Sequence, residues 1–172
     1  MLKDPKIRCN SIWKLFGSHP QSTLEKIDRS HSRTEIQRET GHVVAVRDVS
    51  FSVQEGETFV VMGLSGSGKS TLVRCLSRLI DPTDGQALID NKDITTVSQS
   101  ELKDLRRHKM AMVFQHFGLF PHRNVIDNVA YGLEVRGEGR EARYEKAMEV
   151  IELVGLDGWA SHYPRELSLI HI

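Results

Sequence analysis

The sequence predicts an α/β fold whose parallel sheet has some antiparallel β-structure on its N-terminal side. Segments rich in β-branched residues alternate along the chain with segments of helical periodicity. The apolar run Thr58–Met62 (TFVVM) is bounded by turn residues, which is typical of a strand buried on both faces of a parallel sheet. A length of 172 residues with 39% hydrophobic and 27% charged residues fits one soluble globular domain.

The first part of the chain predicts a strand followed by a helix. Ile7–Phe16 is apolar-rich and roughly alternating, as a half-buried strand is. The polar stretch Pro20–Thr40 is predicted to be helical. Ser22 and Glu25 have the spacing of a capping box near its start, and Gly41 is placed to end it.

Strands and one helix are predicted for the next segments. Val43–Val53 is rich in β-branched residues and predicts one or two strands, followed by a turn at Glu55-Gly56. Lys69–Leu79 has apolar residues at helical spacing. Gln86–Asp90 predicts a short strand, and Asn91 is suited to a left-handed turn.

The remaining segments predict a short strand among helices. Ser98 and Glu101 form a second possible capping box, ahead of a helix that ends near Arg107. Met110–Phe114 (MAMVF) predicts another short buried strand. The chain then becomes helical over 125–135 and again over 139–154.

Composition excludes several classes of protein. The 23 basic and 23 acidic residues balance, so the sequence predicts no nucleic-acid partner. Apolar stretches such as Phe59–Met62 are far too short to cross a bilayer, and the first residues lack a secretory signal core. Cys9 and Cys75 form no CxxC pair and the eight histidines show no metal-ligand spacing, so we expect a reduced, cytosolic setting without a zinc site.

A phosphate-binding loop follows the predicted strand Thr58–Met62. It matches G-x-x-x-x-G-K-[ST] in the run Gly63-Leu64-Ser65-Gly66-Ser67-Gly68-Lys69-Ser70-Thr71. Glycines let successive N–H groups point into one concavity, and the following helix adds its positive N-terminal dipole. Lys69 can bind the β- and γ-phosphates, and the Ser70 hydroxyl is suited to Mg²⁺. A chance match has a probability of about 0.6%, and a flexible linker would not be expected between a strand and a helix.

Three segments of the chain resemble the ATP-binding subunit of ABC transporters. They are GLSGSGKSTLVRCLSRLIDPTDGQALID, MAMVFQHFGLFPHRNVIDNVAYGLE and YPRELS. Leu64, where many ABC proteins have proline, and the polar insertion His19–His42 resemble more narrowly the subunit of glycine betaine/proline (quaternary amine) importers. The resemblance covers residues 1 to about 168. It implies a P-loop NTPase fold, the N-terminal portion of an ABC-type nucleotide-binding domain with antiparallel β elements and the start of a helical subdomain.

The resemblance also implies roles for individual residues. Phe16 would stack on adenine, and Ser65–Thr71 would wrap the triphosphate. Ser70 and Gln115 would contact Mg²⁺, with Gln115 also touching the attacking water as the catalytic residue. Phe117–Val125 would help to form the groove for a permease helix. The implied nucleotide-binding set is Phe16, Gly63, Ser65, Gly66, Ser67, Gly68, Lys69, Ser70 and Thr71.

Each assignment outside the loop has a structural alternative. Phe16 could equally be a core aromatic residue. Gln115, taken without the resemblance, would be an ordinary polar residue at a strand end. Phe117, Leu119 and Phe120 could belong to the core, which the residues alone favour because exposed apolar patches are uncommon.

By resemblance, the chain would be an ATP-binding subunit that energises an importer of glycine betaine, proline or related osmolytes. Its ligands would be ATP and Mg²⁺. Its partners would be transmembrane permease subunits, a solute-binding protein and a second copy of the subunit. The location would be cytoplasmic, on the inner face of the membrane through the permease. Residues 1–114 would form the ATP-binding core and residues 115–172 an incomplete helical subdomain.

The chain departs from the family pattern after Leu167-Ser168. Members continue into a glycine-rich signature, whereas this sequence continues Leu169-Ile170-His171-Ile172. The signature glycines, the Walker B strand, its catalytic glutamate and the switch histidine are missing from the sequence. We therefore expect a truncated member that binds ATP without efficient hydrolysis, because water activation, metal binding and γ-phosphate sensing need those groups. A small P-loop kinase and a non-catalytic nucleotide-binding module remain alternatives.

Overall fold

The computed structural model describes residues 4–114 and 118–167, which divide into two compact units between Leu102 and Lys103. The first unit contains a four-stranded antiparallel sheet in the order β2-β1-β3-β4. The strands are β1 (Ile7–Phe16), β2 (Val43–Val53), β3 (Asp84–Ile89) and β4 (Lys92–Asp93). The predicted strands at 7–16 and 43–53 are confirmed, and the latter is one continuous strand.

Strand β1 lies in the middle of this sheet and sets its register. Ile7 pairs with Val53 on one side and with Ile89 on the other. At the far end of the strand, Phe16 pairs with Val43. Ladder pairing on both sides is interrupted by register shifts, where the Ser11 and Leu15 N–H groups donate to the hydroxyls of Ser50 and Thr83, and four side chains of β1 are fully buried. Strand β1 is therefore the rigid base from which Phe16 extends.

Two short helices, rather than the one predicted over 20–40, connect β1 to β2. They are α1 (Pro20–Lys26) and α2 (Arg33–Thr40). The chain leaves helical geometry at Ile27, and the Asp28 carboxylate then accepts the Ser30 N–H at 2.8 Å in a local turn. Such side-chain to backbone bonds compete with helical ones, which explains the interruption.

The capping box predicted from Ser22 and Glu25 is wrong. The Ser22 hydroxyl donates to the His19 carbonyl instead, and α1 has no side-chain cap. The capping box lies one helix later, where Ser32 and Glu35 exchange side-chain to backbone hydrogen bonds at the start of α2. Gly41 ends α2 in a left-handed conformation, as predicted.

Helices α1 and α2 cover the sheet with a small apolar core. Its buried members come from β1, both helices and β2, and they are Trp13, Leu15, Leu24, Ile36 and Val44. Each helix thus contributes one fully buried side chain, and Ile27 packs against the edge of the cluster. Burial of these side chains, rather than intrinsic helix propensity, stabilises such short helices.

The predicted strand Gln86–Asp90 is confirmed as β3, whereas the predicted strands Thr58–Met62 and Met110–Phe114 are wrong. In the described part of the chain neither segment has a strand partner, and the described sheet contains antiparallel pairs only. Their side chains are largely exposed, with Met62 at 86% and Val113 at 98% of full exposure. A short apolar run favours a strand, but a ladder forms only where a neighbouring strand supplies hydrogen-bond partners.

The remaining helices are α3 (Lys69–Leu76), α4 (Gln99–His108), α5 (Val125–Arg136) and α6 (Arg140–Leu153), with a 3₁₀ turn at Pro164–Glu166. They confirm the predicted helices near their predicted bounds, although α3 ends three residues earlier than expected. The Ser98–Glu101 capping box is confirmed, since the Glu101 N–H donates to Ser98 Oγ. Among residues 4–114 and 118–167, no helix is both long and apolar enough to span a bilayer.

In the second unit, α5 and α6 pack against each other. Their buried residues are Val125 and Ala130 on α5, and Ala147 and Ile151 on α6. The N–H groups of Val125 and Ile126 donate to the carbonyls of His162 and Ala160. The segment after α6 therefore satisfies free donors at the start of α5, as helix N-termini require.

Candidate nucleotide-binding site

The glycine-rich loop leads directly into helix α3 in the first unit. Gly68 is the N-cap of this helix, and Lys69, Ser70 and Thr71 form its first turn. The first N–H groups of an α-helix have no partner within the helix, and the helix dipole makes this end positive. The motif therefore lies where anion binding is favoured, and this arrangement of loop and helix agrees with the sequence prediction.

Gly68 has a packing reason to be glycine. Its φ is +101°, and a Cβ atom at this position would lie 2.0 Å from the carbonyl oxygen of Ala45 on β2. Any side chain would therefore push the loop away from the sheet in addition to straining the backbone. The close approach fixes the end of the loop against β2.

Lys69 points back over the loop. Its Nζ donates to the carbonyl oxygens of Gly63 and Leu64, each at 2.7 Å, and lies 3.4 Å from Ser67 Oγ. The ammonium group is thus held above the concavity by neutral acceptors. Phosphate oxygens carry more negative charge than carbonyl oxygens, so they can compete for the same donor.

The two hydroxyl residues after Lys69 differ in exposure. Ser70 is exposed in the first turn of α3, and Thr71 is half-buried. No group of three or more histidine, cysteine or acidic residues that could hold a metal ion occurs among the described residues. Mg²⁺ is commonly held by one or two protein ligands together with substrate phosphates and water, and the exposed Ser70 oxygen fits that mode.

Phe16 lies at the end of β1, outside the buried core. Its side chain is 43% exposed, and Lys14 Nζ lies 5.1 Å from the centre of the ring. Phe16 pairs with Val43 of β2, two residues before the Ala45 carbonyl against which Gly68 packs. Strand β2 thus connects the aromatic ring to the loop within one unit.

The second unit contributes no described site residue. Gln115 and Phe117 lie outside the described residues. Leu119 is exposed, and the Phe120 ring contacts Tyr131 with its centroid 4.6 Å away. The structure therefore places Phe16 and Gly68 beside positions two residues apart on β2, and nothing is added to the prediction for Gln115.

The two cysteine thiols are unsuited to nucleophilic chemistry. Cys9 and Cys75 are both buried and free. Burial raises the pKa of the Cys9 thiol to about 11 and also raises the pKa of Cys75. Both side chains therefore stay protonated near neutral pH, and neither provides a thiolate next to the loop.

One contact to the loop was not predicted from the sequence. Arg33, in the insertion between β1 and β2, donates from Nη1 to the Ser67 carbonyl oxygen at 3.3 Å. The two residues are 34 positions apart, so no local pattern connects them. A weak signal was present, because a basic residue at the start of a helix opposes the helix dipole.

Comparison with known proteins places these features in a family. The ABC transporter family matches residues 46–169, which include the whole loop. The chain belongs to the ABC transporter family. This confirms the predicted family and the ABC-type nucleotide-binding fold.

The chain is similar to curated relatives over nearly its whole length. It is 50% identical over 163 residues to the glycine betaine/proline betaine transport system ATP-binding protein ProV of Escherichia coli. It is 52% identical over 164 residues to the trimethylamine N-oxide transport system ATP-binding protein TmoW of Ruegeria pomeroyi. Each match covers 95% of this chain, but only 41% and 48% of the two relatives. The chain thus spans less than half the length of these relatives.

Solved structures of ABC cassettes have the same fold. The dimeric structure of MJ0796, a bacterial ABC transporter cassette, matches with a TM-score of 0.74 at 29% identity. A post-hydrolysis dimer of MJ0796 bound to ADP and Pi matches with a TM-score of 0.73. Each match covers 94% of this chain and 63% of the solved chain.

Proposed function

We propose that this chain is the nucleotide-binding part of an ATP-binding subunit that energises an importer of glycine betaine, proline or a related osmolyte. The observation that carries the proposal is the loop geometry, in which Lys69 Nζ lies over the glycine-rich loop at the start of α3. Support for the class of transporter comes from ProV and TmoW, whose names describe ATP-binding proteins of glycine betaine/proline betaine and trimethylamine N-oxide transport systems.

Different residues would bind the phosphates, the metal ion and the base of ATP. Backbone N–H groups of the loop and of the first turn of α3 bind phosphate oxygens, and Lys69 neutralises their charge. The Ser70 hydroxyl would bind Mg²⁺, which supplies further charge neutralisation when it is bound. The half-exposed ring of Phe16 provides a flat apolar surface for the adenine base.

A polypeptide of these 172 residues should bind ATP and hydrolyse it slowly. ATP hydrolysis needs a carboxylate that orients water and a group that senses the γ-phosphate, so the phosphate-binding loop by itself binds ATP without completing a hydrolytic site. We expect phosphate release from ATP to match that of Lys69→Ala. A rate that Lys69→Ala abolishes would show that the residues present suffice for hydrolysis.

The proposed partners follow from the transport role. They are permease subunits in the membrane, a solute-binding protein and a second copy of the ATP-binding subunit. The dimeric MJ0796 structures support the pairing of two such subunits. The proposed location is the cytoplasmic face of the membrane, held there by the permease.

The role of Phe16 can be separated from that of the loop. We expect Phe16→Ala to weaken ATP binding about tenfold, because base stacking on an aromatic ring contributes about 1–3 kcal/mol. The affinity for inorganic triphosphate should stay unchanged, since that ligand has no base. Titration calorimetry with both ligands measures the difference.

Phe16→Trp is the matched control, because it keeps an aromatic surface at the same position. It should retain ATP affinity within about threefold of the original chain. Equal losses of ATP and triphosphate affinity in Phe16→Ala would mean that the ring supports the loop and does not bind the base.

A further inference from the structure

We infer that Arg33 is a positioning residue that holds the phosphate-binding loop in its binding conformation from outside the nucleotide site. The inference rests on the proposed nucleotide-binding function and assigns a role to the insertion between β1 and β2. Its basis is the hydrogen bond from Arg33 Nη1 to the Ser67 carbonyl oxygen at 3.3 Å. This bond links helix α2 to the residue immediately before the N-cap glycine of α3.

Helix α2 is anchored firmly enough to act as a fixed support. Ile36, one turn after Arg33, is fully buried in the cluster that contains Trp13 and Leu15 of β1. The capping box of Ser32 and Glu35 closes the first turn of α2, with the Ser32 N–H donating to the Glu35 carboxylate at 2.7 Å. The backbone at Arg33 is therefore restrained by the capping box of Ser32 and Glu35 and by the burial of Ile36.

The position of Arg33 is locally unfavourable. It is the first residue of α2, where the positive end of the helix dipole favours acidic residues. A residue in a locally unfavourable position is explained when it makes a stabilising contact elsewhere in the fold. The contact with the loop is such a contact, because the guanidinium group there meets a carbonyl oxygen.

The peptide between Ser67 and Gly68 explains how an outside contact affects ligand binding. In a planar trans peptide the C=O and the N–H point in opposite directions. When Arg33 holds the Ser67 carbonyl on the α2 side, the Gly68 N–H is directed to the other side. Gly68 is in turn held against the Ala45 carbonyl of β2, so both ends of this peptide are restrained. The donor is thus oriented before a phosphate arrives, which lowers the entropy cost of binding.

The test compares Arg33→Ala, Arg33→Lys and Arg38→Ala in the 172-residue chain. Arg38 lies in the last turn of the same helix, so its removal takes away the same charge at the opposite end. Amide hydrogen exchange of the loop without nucleotide is the first readout, because the Ser67 N–H is bonded to the Leu64 carbonyl at 3.2 Å. Titration calorimetry with ATP and with inorganic triphosphate is the second.

We expect Arg33→Ala to increase the rate of hydrogen exchange of the loop amides about fivefold. The same substitution should lower the affinities for ATP and for inorganic triphosphate about fivefold. Arg33→Lys should keep the exchange rate and the ligand affinities close to those of the original chain, since a single N–H donor makes the contact. Arg38→Ala should behave like the original chain.

Unchanged hydrogen exchange of the loop amides in Arg33→Ala would overturn the inference. A loss of ligand affinity in Arg38→Ala as large as that in Arg33→Ala would also overturn it, because it would indicate general charge attraction. Failure of the original chain to bind ATP would instead reject the proposed function, and the exchange measurement would still decide the role of Arg33.

Discussion

Replacing Lys69 by alanine is expected to lower the affinity of the chain for ATP by about 100-fold, equal to about 2.7 kcal/mol. The ammonium group lies over the loop, within 2.7 Å of two of its carbonyl oxygens, where β- and γ-phosphate oxygens are expected to bind. Alanine removes the donor and its charge while leaving the backbone of α3 unchanged. Titration calorimetry or fluorescence polarisation with a labelled ATP analogue measures the loss.

Lys26→Ala is the matched control, since Lys26 lies in the last turn of α1 and its loss changes the net charge equally. It should leave ATP affinity within about twofold, because exposed charges away from the site are screened. Inorganic triphosphate should lose affinity in Lys69→Ala as strongly as ATP does. If Lys69→Ala bound ATP as tightly as the original chain, the loop would not be the phosphate site.

Replacing Trp13 by alanine is expected to destabilise the chain by about 3–5 kcal/mol, the cost of emptying a large buried site. Trp13 is 2% exposed and lies in the cluster that joins β1 to helices α1 and α2. The Arg29 guanidinium also lies 5.6 Å from the ring centre, so the substitution removes a cation–π contact as well. Urea denaturation followed by circular dichroism measures the free energy of unfolding.

Trp13→Phe keeps an aromatic side chain in the same core and should cost less than half as much as Trp13→Ala. It also remains measurable if the alanine variant fails to fold. Trp159→Ala is a control in the second unit, where Trp159 is only half-buried, and should destabilise less. A loss below about 1 kcal/mol in Trp13→Ala would mean that α1 and α2 do not depend on this core.

The elements predicted correctly are those for which local sequence contains the deciding information. The apolar-rich, roughly alternating pattern of Ile7–Phe16 predicts a strand, and the structure pairs this strand with β2 and with β3. Gly41 ends α2 because glycine adopts a left-handed conformation at little cost. The phosphate-binding loop was predictable for the same reason, since glycines, lysine and serine act within one continuous segment.

The incorrect predictions depend on contacts between distant parts of the chain. Thr58–Met62 and Met110–Phe114 have the composition of buried strands, yet they are unpaired among the described residues. Strand formation depends on a partner elsewhere in the chain, which local composition does not specify. Ser22 and Glu25 have the spacing of a capping box, but the box forms at Ser32 and Glu35, on the helix that buries Ile36 beside Trp13.

The sequence by itself determined the phosphate-binding loop, the helix that follows it and the resemblance to ABC transporter ATP-binding subunits. Each of these depends on residues that are close together along the chain. Only the tertiary structure decided that Gly68 packs on Ala45, that the insertion covers the sheet, and that Arg33 contacts Ser67. The Gly68–Ala45 and Arg33–Ser67 contacts join positions more than 20 residues apart, so they exist only once the chain has folded and its buried side chains have fixed the backbone.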